Sequence, residues 1–191
     1  MLDFFHQIKM ALAMVLAFSC GFANAHEVET TRLSLVQREP THVTATFYVN
    51  PIDFFQPVLE TRLAHQAVLV YLASLDEDAF AALCFKAQSY YKAHISFKLG
   101  QDKTAHMSHW QFATGQILQK NIQQQLAQQV LNPGLHAHLE PVQMGVQITS
   151  GESMPTMQPQ LPAHWGRVLV VASKPQQIWL ENNPKTPWIK F

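Results

Sequence analysis

The sequence predicts a domain made mainly of antiparallel β-strands, arranged as a sandwich, with one or two helices packed on it. Residues 42–50 alternate strictly between apolar and polar side chains, which is the period of a strand with one buried face. Residues 80–91 instead place their apolar side chains three and four apart, which is the period of an amphipathic helix. Because strand patterns outnumber helix patterns along the chain, we predict a mainly β fold of the α+β type.

The first 25 residues have the features of a cleaved export signal. Lys9 supplies a positive flank, Met10–Phe18 is an unbroken apolar run, and Ala23-Asn24-Ala25 matches a signal-peptidase site. The apolar stretch is shorter than the ~20 residues that a membrane-spanning helix needs. We therefore expect a signal peptide over residues 1–25 and one periplasmic or secreted domain over residues 26–191.

Composition argues against several classes of function. The chain has 13 basic and 13 acidic residues, so its balanced charge gives no electrostatic basis for binding nucleic acid or an anionic membrane. A lipoprotein anchored through Cys20 is the alternative to signal cleavage, but the bulky Phe18 disfavours it. Cys84 lies on the apolar face of the predicted helix, which indicates a buried and inert thiol. No serine-hydrolase, zinc-protease or nucleotide-binding motif is present in the sequence, so we expect a protein that is not an enzyme.

The first two strands are expected to form a hairpin. Residues 27–38 and 42–50 alternate on either side of the turn Glu39-Pro40-Thr41. The following residues, 52–72, are apolar but fit neither the strand nor the helix period for long, so both alternatives stay open. Within them, Asp53 is expected to cap a short helix.

A helix and a second hairpin follow. Ser74 and Glu77 have the spacing of a capping box, which predicts a helix that runs to about Lys92. Residues 94–99 and 104–113 then read as two strands paired across a turn.

The glutamine-rich residues 115–131 keep one narrow apolar stripe, which predicts another helix. Residues 135–150 predict a β region that Pro141 interrupts. Residues 151–162 predict a loop. Residues 168–172 are apolar on both faces, which predicts a central strand that turns back into residues 178–180.

Histidine is frequent, with nine residues after the predicted cleavage site, and this motivates a search for a metal site. Cleavage after Ala25 would make His26 the first residue, whose amine and imidazole together can chelate a metal ion. His136, His138 and Glu140 alternate along a predicted strand and would therefore point the same way. These four residues are the candidate ligands for copper or nickel. The alternative is a frayed terminus and a solvated outer face.

Two further groups are weaker candidates. Met144, Met154 and Met157 near His164 offer the soft ligands that Cu(I) prefers, although Met144 belongs to an inward-facing pattern. His106 and His109 form another pair, but their spacing of three residues places them on opposite faces of a strand.

Several segments, in order, resemble a known family. They are Ala25-His26-Glu27, Leu33-x-Leu35, Phe47-x-Val49, Leu83 with Tyr90-Tyr91, Ile95–Leu99, His164–Val170 and Gln176–Leu180. This order resembles the extracytoplasmic N-terminal domain of the hydrogenase/urease accessory permease family (HupE/UreJ). The resemblance implies an immunoglobulin-like β-sandwich and a role in nickel or cobalt handling. The membrane helices of the permease are not in this sequence, so it implies a free-standing outer domain with a separately encoded integral-membrane partner.

The sequence therefore predicts an exported accessory module that binds nickel or copper through surface histidines. The alternative is a metal-free structural or protein-interaction domain of a membrane-associated complex.

Overall fold

A computed structural model describes residues 31–60, 63–100, 103–131 and 139–175. Over these ranges the chain is a mixed α+β structure with two β-sheets and four helices. The predicted α+β class is thereby confirmed, but the described chain has four helices where one or two were predicted, so the fold is mixed and not mainly β. The predicted signal peptide and the strand expected at residues 178–180 lie outside the described residues.

The first hairpin forms as predicted. Strand β1 (Arg32–Glu39) pairs antiparallel with strand β2 (His42–Val49), and the register shifts between Gln37 and Glu39. The apolar members of the alternating pattern are buried, among them Phe47, which is fully inaccessible to solvent. Burial of one face of each strand is what fixes this register, because a slip of one residue would move every apolar side chain to the other face.

One inner strand and two end strands complete a five-stranded sheet within the described residues. Its order is β5-β6-β2-β1-β8, with β5 at His106–Phe112, β6 at Val142–Thr149 and β8 at Leu169–Ser173. The β6 strand begins directly after Pro141 and buries the four apolar residues Val142, Met144, Val146 and Ile148, of which Met144 was predicted to face inward. Only β8 is parallel to its neighbour, β1.

The second hairpin is different from the prediction. Strand β3 (Ser96–Leu99) pairs with only two residues of the returning chain, strand β4 (Lys103–Thr104). The next residue, Ala105, is buried, and its N–H donates to the Phe97 carbonyl at 2.8 Å. The chain continues as β5 in the other sheet. An alternating pattern predicts a strand but not the strand with which it pairs. Here β5 pairs with β6, which is longer than β3.

The smaller sheet also corrects the expected loop at residues 151–162. Strand β7 (Gln158–Gln160) lies within it and pairs antiparallel with β3, which gives the order β4-β3-β7. Its sequence is Gln-Pro-Gln, so no apolar alternation marks it as a strand.

Helix caps differ from prediction in two places. Helix α1 (Pro51–Phe55) is capped by the Asn50 side chain, whose Oδ1 accepts from the N–H of Ile52 at 2.9 Å, and the expected cap Asp53 lies within the helix. Asn50 is the N-cap because the helix starts at Pro51, and proline is well suited to the first helical position, where no N–H is needed.

Helices α2 (His65–Ser74) and α3 (Glu77–His94) show the second difference. The cap of α3 is Asp76, whose Oδ1 accepts from the N–H of Ala79 at 2.7 Å. The predicted capping box is wrong because Ser74 ends the preceding helix and donates to the Tyr71 carbonyl. Helix α4 (Gly115–Leu131) forms as predicted.

The core lies between the five-stranded sheet and the helices. Tyr91 of α3 is fully buried and stacks on both Phe54 and Trp165, with ring centroids 5.2 and 5.3 Å apart. Trp165 in turn contacts Phe47 of the sheet at 5.8 Å. Cys84 is buried on the same helix, and this burial raises the pKa of its thiol to about 11, in line with the predicted inert cysteine.

The β8 strand was predicted to be a buried central strand, but its side chains are exposed and it ends the sheet within the described residues; residues 178–180, predicted to return beside it, lie outside them. Leu169, Val170 and Val171 are exposed by 55%, 44% and 45%, and the strand lies at the end of the sheet. An apolar run on both faces usually means burial on both faces. In β8 the apolar side chains of both faces are instead exposed.

Candidate functional site

The predicted metal ligands fall almost entirely outside the described residues. His26, His136 and His138 are not among them, so the structure does not test the four-residue site. Glu140 is described and exposed, and its Oε2 accepts a hydrogen bond from Asn121 Nδ2 at 3.1 Å. It precedes β6 and is not part of a strand, which corrects the expectation that it continues a strand face. Pro141, which cannot donate to a β-ladder, explains why the strand starts later.

No group of three or more histidine, cysteine, aspartate or glutamate side chains in the described ranges could hold a metal ion. His42 is exposed, with its Nδ1 3.7 Å from the Glu39 carboxylate. His106 and His109 are exposed on β5, where a bulge places His109 in the left-handed region at a φ of 52°. His106 and His109 are therefore polar surface residues of the end strand β5, and His42 is an exposed residue at the start of the inner strand β2.

The methionine hypothesis also weakens. Met144 and Met154 are both buried in the core, and the N–H of Met154 donates to the Pro40 carbonyl at 2.7 Å. Burial of Met144 was expected from its pattern, but burial of Met154 was not, because it follows a turn-rich stretch. Only the half-buried Met157 is left near the surface.

One histidine has a specific environment that the sequence did not reveal. His164 lies in the 3-10 turn Ala163–Trp165, with Nε2 3.2 Å from the Asp53 carbonyl and 3.4 Å from the Tyr91 hydroxyl. Partial burial lowers the pKa of His164, and the hydrogen bond to Asp53 partly opposes that change. The neutral ring is therefore assigned with its proton on Nε2, where it donates to Asp53. This arrangement joins a turn to a helix, and one imidazole alone does not make a metal site.

In the part of the chain that the structure describes, the most distinctive exposed surface is the outer edge of β8. Leu169 donates its N–H to the Thr31 carbonyl at 2.9 Å, so its backbone groups face β1. In a parallel pair every second residue faces the neighbour, and the backbone groups of Val170 and Ala172 therefore point away from β1. Among the described residues no strand pairs with that edge.

A second apolar surface lies between α2 and α4. Val70, Leu126, Ala127, Val130 and Leu131 line an open cleft of about 510 Å³. Val130 and Leu131 are 78% and 77% exposed, so the predicted apolar stripe of α4 runs out of the core at its C-terminal end.

The glutamines of α4 hold this helix against α2. Gln119 donates to the Leu75 carbonyl at 2.7 Å and Gln123 to the Ala73 carbonyl at 3.1 Å. Gln129 accepts from Gln66 across the two helices at 3.2 Å. Gln119 and Gln123 therefore satisfy carbonyl groups at the C-terminal end of α2, which have no partner within their own helix.

No known protein family matches the chain, and no curated protein or solved structure shows significant similarity to it. Within the ranges that the structure describes, every helix is too short or too polar to cross a membrane. The arrangement offers apolar surfaces for another molecule, and of these the edge of β8 is the better defined.

Proposed function

We propose that the mature chain is an exported accessory domain that binds a protein partner through the edge of β8. The observation that carries this proposal is the run of exposed apolar side chains Leu169, Val170 and Val171 at the margin of the five-stranded sheet. Exposed, flat, apolar edge strands aggregate readily, and proteins normally protect them.

The two edges of the sheet differ in this respect. The β5 edge carries a bulge between Ser108 and Gln111 and the exposed His109, which are features that discourage edge-to-edge pairing. The β8 edge, with the sequence Leu-Val-Val-Ala-Ser, has no charge, no proline and no bulge in its register with β1. Within the described ranges, an edge without these protective features opposite one that has them supports a role in binding.

The nature of the partner rests on the resemblance to the outer domain of the accessory permeases. It supports a periplasmic or secreted location, an integral-membrane partner encoded separately, and an immunoglobulin-like arrangement of the two sheets. The balanced charge of the chain argues against nucleic acid as the partner. The proposal assigns binding to the domain and no catalysis.

Site-specific photocrosslinking in the native host tests this function. A photoreactive phenylalanine analogue placed at Val170 should give one discrete adduct with an envelope protein. The matched control is the same analogue at Phe85, which is 72% exposed on α3, far along the chain from β8. Equal adducts from both positions, or none from Val170, would contradict the proposed function.

A second candidate is a nickel or copper module that uses His26, His136, His138 and Glu140. The observation in its favour is that the carboxylate of Glu140, two residues after His138 in the sequence, is exposed and oriented by Asn121. Hydrogen-bonded carboxylates of this kind are common in metal sites. Intact mass should show a chain that starts at His26, and calorimetry with Cu(II) and Ni(II) should show one-to-one binding that His136→Ala weakens. A different start or no binding at micromolar metal would argue against this candidate.

A further inference from the structure

The β8 edge presents backbone hydrogen-bonding groups as well as apolar side chains. We infer that the partner supplies an extended segment that pairs with β8 as an added strand of the five-stranded sheet. This inference rests on the proposed function, because it specifies how the same edge binds. It also predicts the chemistry of the bound segment.

The backbone geometry provides the hydrogen bonds. Because the N–H of Leu169 is used by Thr31, the parallel register with β1 leaves the N–H and carbonyl groups of Val170 and Ala172 directed outward. These are the groups that an added strand would bond. A flat apolar patch without such groups would bind a helix or a loop equally well.

The side chains define what the added strand must contain. Val170 and Ala172 stand beside Leu33 and Leu35 on the inner face of β1, since paired residues of neighbouring strands share a face. Leu169 stands on the other face, beside Arg32. The β8 edge is apolar on both faces, so the centre of the added strand should be apolar or β-branched on both of its faces.

The charges at the ends of β8 favour an acidic segment. Arg167 and Lys174 are exposed on either side of the uncharged run 169–173. A second copy of this chain related by a two-fold axis would pair antiparallel and would bring Arg167 of one copy towards Lys174 of the other. Like charges at both ends disfavour that pairing, whereas acidic residues at the ends of a partner strand complement them.

A designed peptide tests the inference on the complete mature chain. The probe is a fluorescein-labelled seven-residue peptide of alternating valine and threonine with a glutamate at each end, and the readout is fluorescence anisotropy. Val170→Pro removes one outward N–H, and we expect it to weaken binding about tenfold. Val170→Thr keeps the N–H and nearly the same shape, so binding should stay within about threefold of the unmodified chain.

The stability of the variants separates loss of binding from loss of fold. Proline at position 170 is tolerated at a sheet edge because that N–H does not bond β1, so the Tm should be nearly unchanged. Leu169→Pro removes the bond to Thr31 and should lower the Tm. This contrast checks the assignment of inward and outward backbone groups independently of any ligand.

Several results would overturn the inference. Equal affinity of Val170→Pro and the unmodified chain would exclude strand pairing, and equal affinity for a peptide with lysine ends would exclude the acidic preference. A doubled mass in light scattering that Val170→Pro abolishes would show a second copy on the edge. Tighter peptide binding by the double variant Ile178→Lys/Leu180→Lys would show that the chain's own C-terminal residues occupy the edge. A crosslink at Val170 without peptide binding would leave the proposed function standing and strand pairing refuted.

Discussion

Nε2 of His164 lies 3.4 Å from the hydroxyl of Tyr91, and both groups converge on the main-chain carbonyl of Asp53, at 3.2 and 2.9 Å. This convergence joins three parts of the chain: the helix α1, the buried face of α3 and the turn that precedes β8. The Leu169 N–H then bonds Thr31 a few residues later. The exposed edge of β8 is thus held at its N-terminal end by a contact that reaches the core.

Tyr91→Phe should remove the polar part of this contact and leave the aromatic packing intact. The hydroxyl also donates to the Phe54 carbonyl at 3.1 Å, so its loss leaves buried carbonyls with fewer donors. We expect the free energy of unfolding, measured with urea, to fall by about 1–2 kcal/mol. The control is Tyr71→Phe at an exposed position, where the change should be a few tenths of that. Equal effects at the two positions would contradict a structural role for the buried hydroxyl.

His164 should make stability depend on pH in a defined direction. Burial lowers the pKa of His164 in the folded chain below its usual value of 6.5, so the unfolded chain binds more protons between the two values. The contribution of the neutral ring is therefore fully present above pH 6.5 and is lost as the pH falls towards the lowered pKa of the folded state.

The measurement is the free energy of unfolding of the unmodified chain minus that of His164→Gln, at pH 5 and pH 7.5. We expect this difference to be larger at pH 7.5. The control is the same subtraction for Gln119→Ala, which removes no titratable group, so its difference should be the same at both pH values. If the difference in unfolding free energy for His164→Gln is larger at pH 5 than at pH 7.5, the assignment of a neutral imidazole is refuted.

The sequence predicted the individual strands and helices better than it predicted which strands pair with one another. The alternation of Val43 to Val49 was sufficient for the first hairpin because one buried face fixes both the strand and its register. The same reasoning failed after Ala105, where the chain leaves β3 and pairs with β6. Pairing between strands distant in sequence depends on tertiary packing, which periodicity does not contain.

The candidate site shows a similar division. The apolar character of residues 169–171 was visible in the sequence, but it predicted burial, whereas the structure exposes these side chains and, among the described strands, places β8 at the end of the sheet. Asp53, Tyr91 and His164 are far apart in sequence and carry no motif, so nothing predicted their contact. The histidines 136 and 138 were found by spacing, and their role stays a prediction.

The glutamine contacts of α4 predict a position-dependent effect on stability. Gln119→Ala removes the donor to the partly buried Leu75 carbonyl and should lower the free energy of unfolding by about 1 kcal/mol. Gln124→Ala changes the same residue type at an exposed position of the same helix and should have little effect, because alanine has the higher helix propensity. Urea unfolding of both variants makes the comparison. An equal loss of unfolding free energy in both variants would contradict a specific contribution from the Gln119 hydrogen bond.

Thiol labelling tests the burial of Cys84 and the processing of the signal peptide in one experiment. Because burial raises the pKa of this thiol to about 11, very little thiolate exists at pH 8, and the side chain is shielded from reagents. Ellman's reagent should therefore react slowly with the folded protein and rapidly in guanidinium chloride. The chain has two cysteines in all, so a cleaved signal peptide leaves one reactive thiol per unfolded chain. Fast labelling of the folded protein would contradict the buried position of Cys84, and two thiols in the exported protein would show that Cys20 is retained.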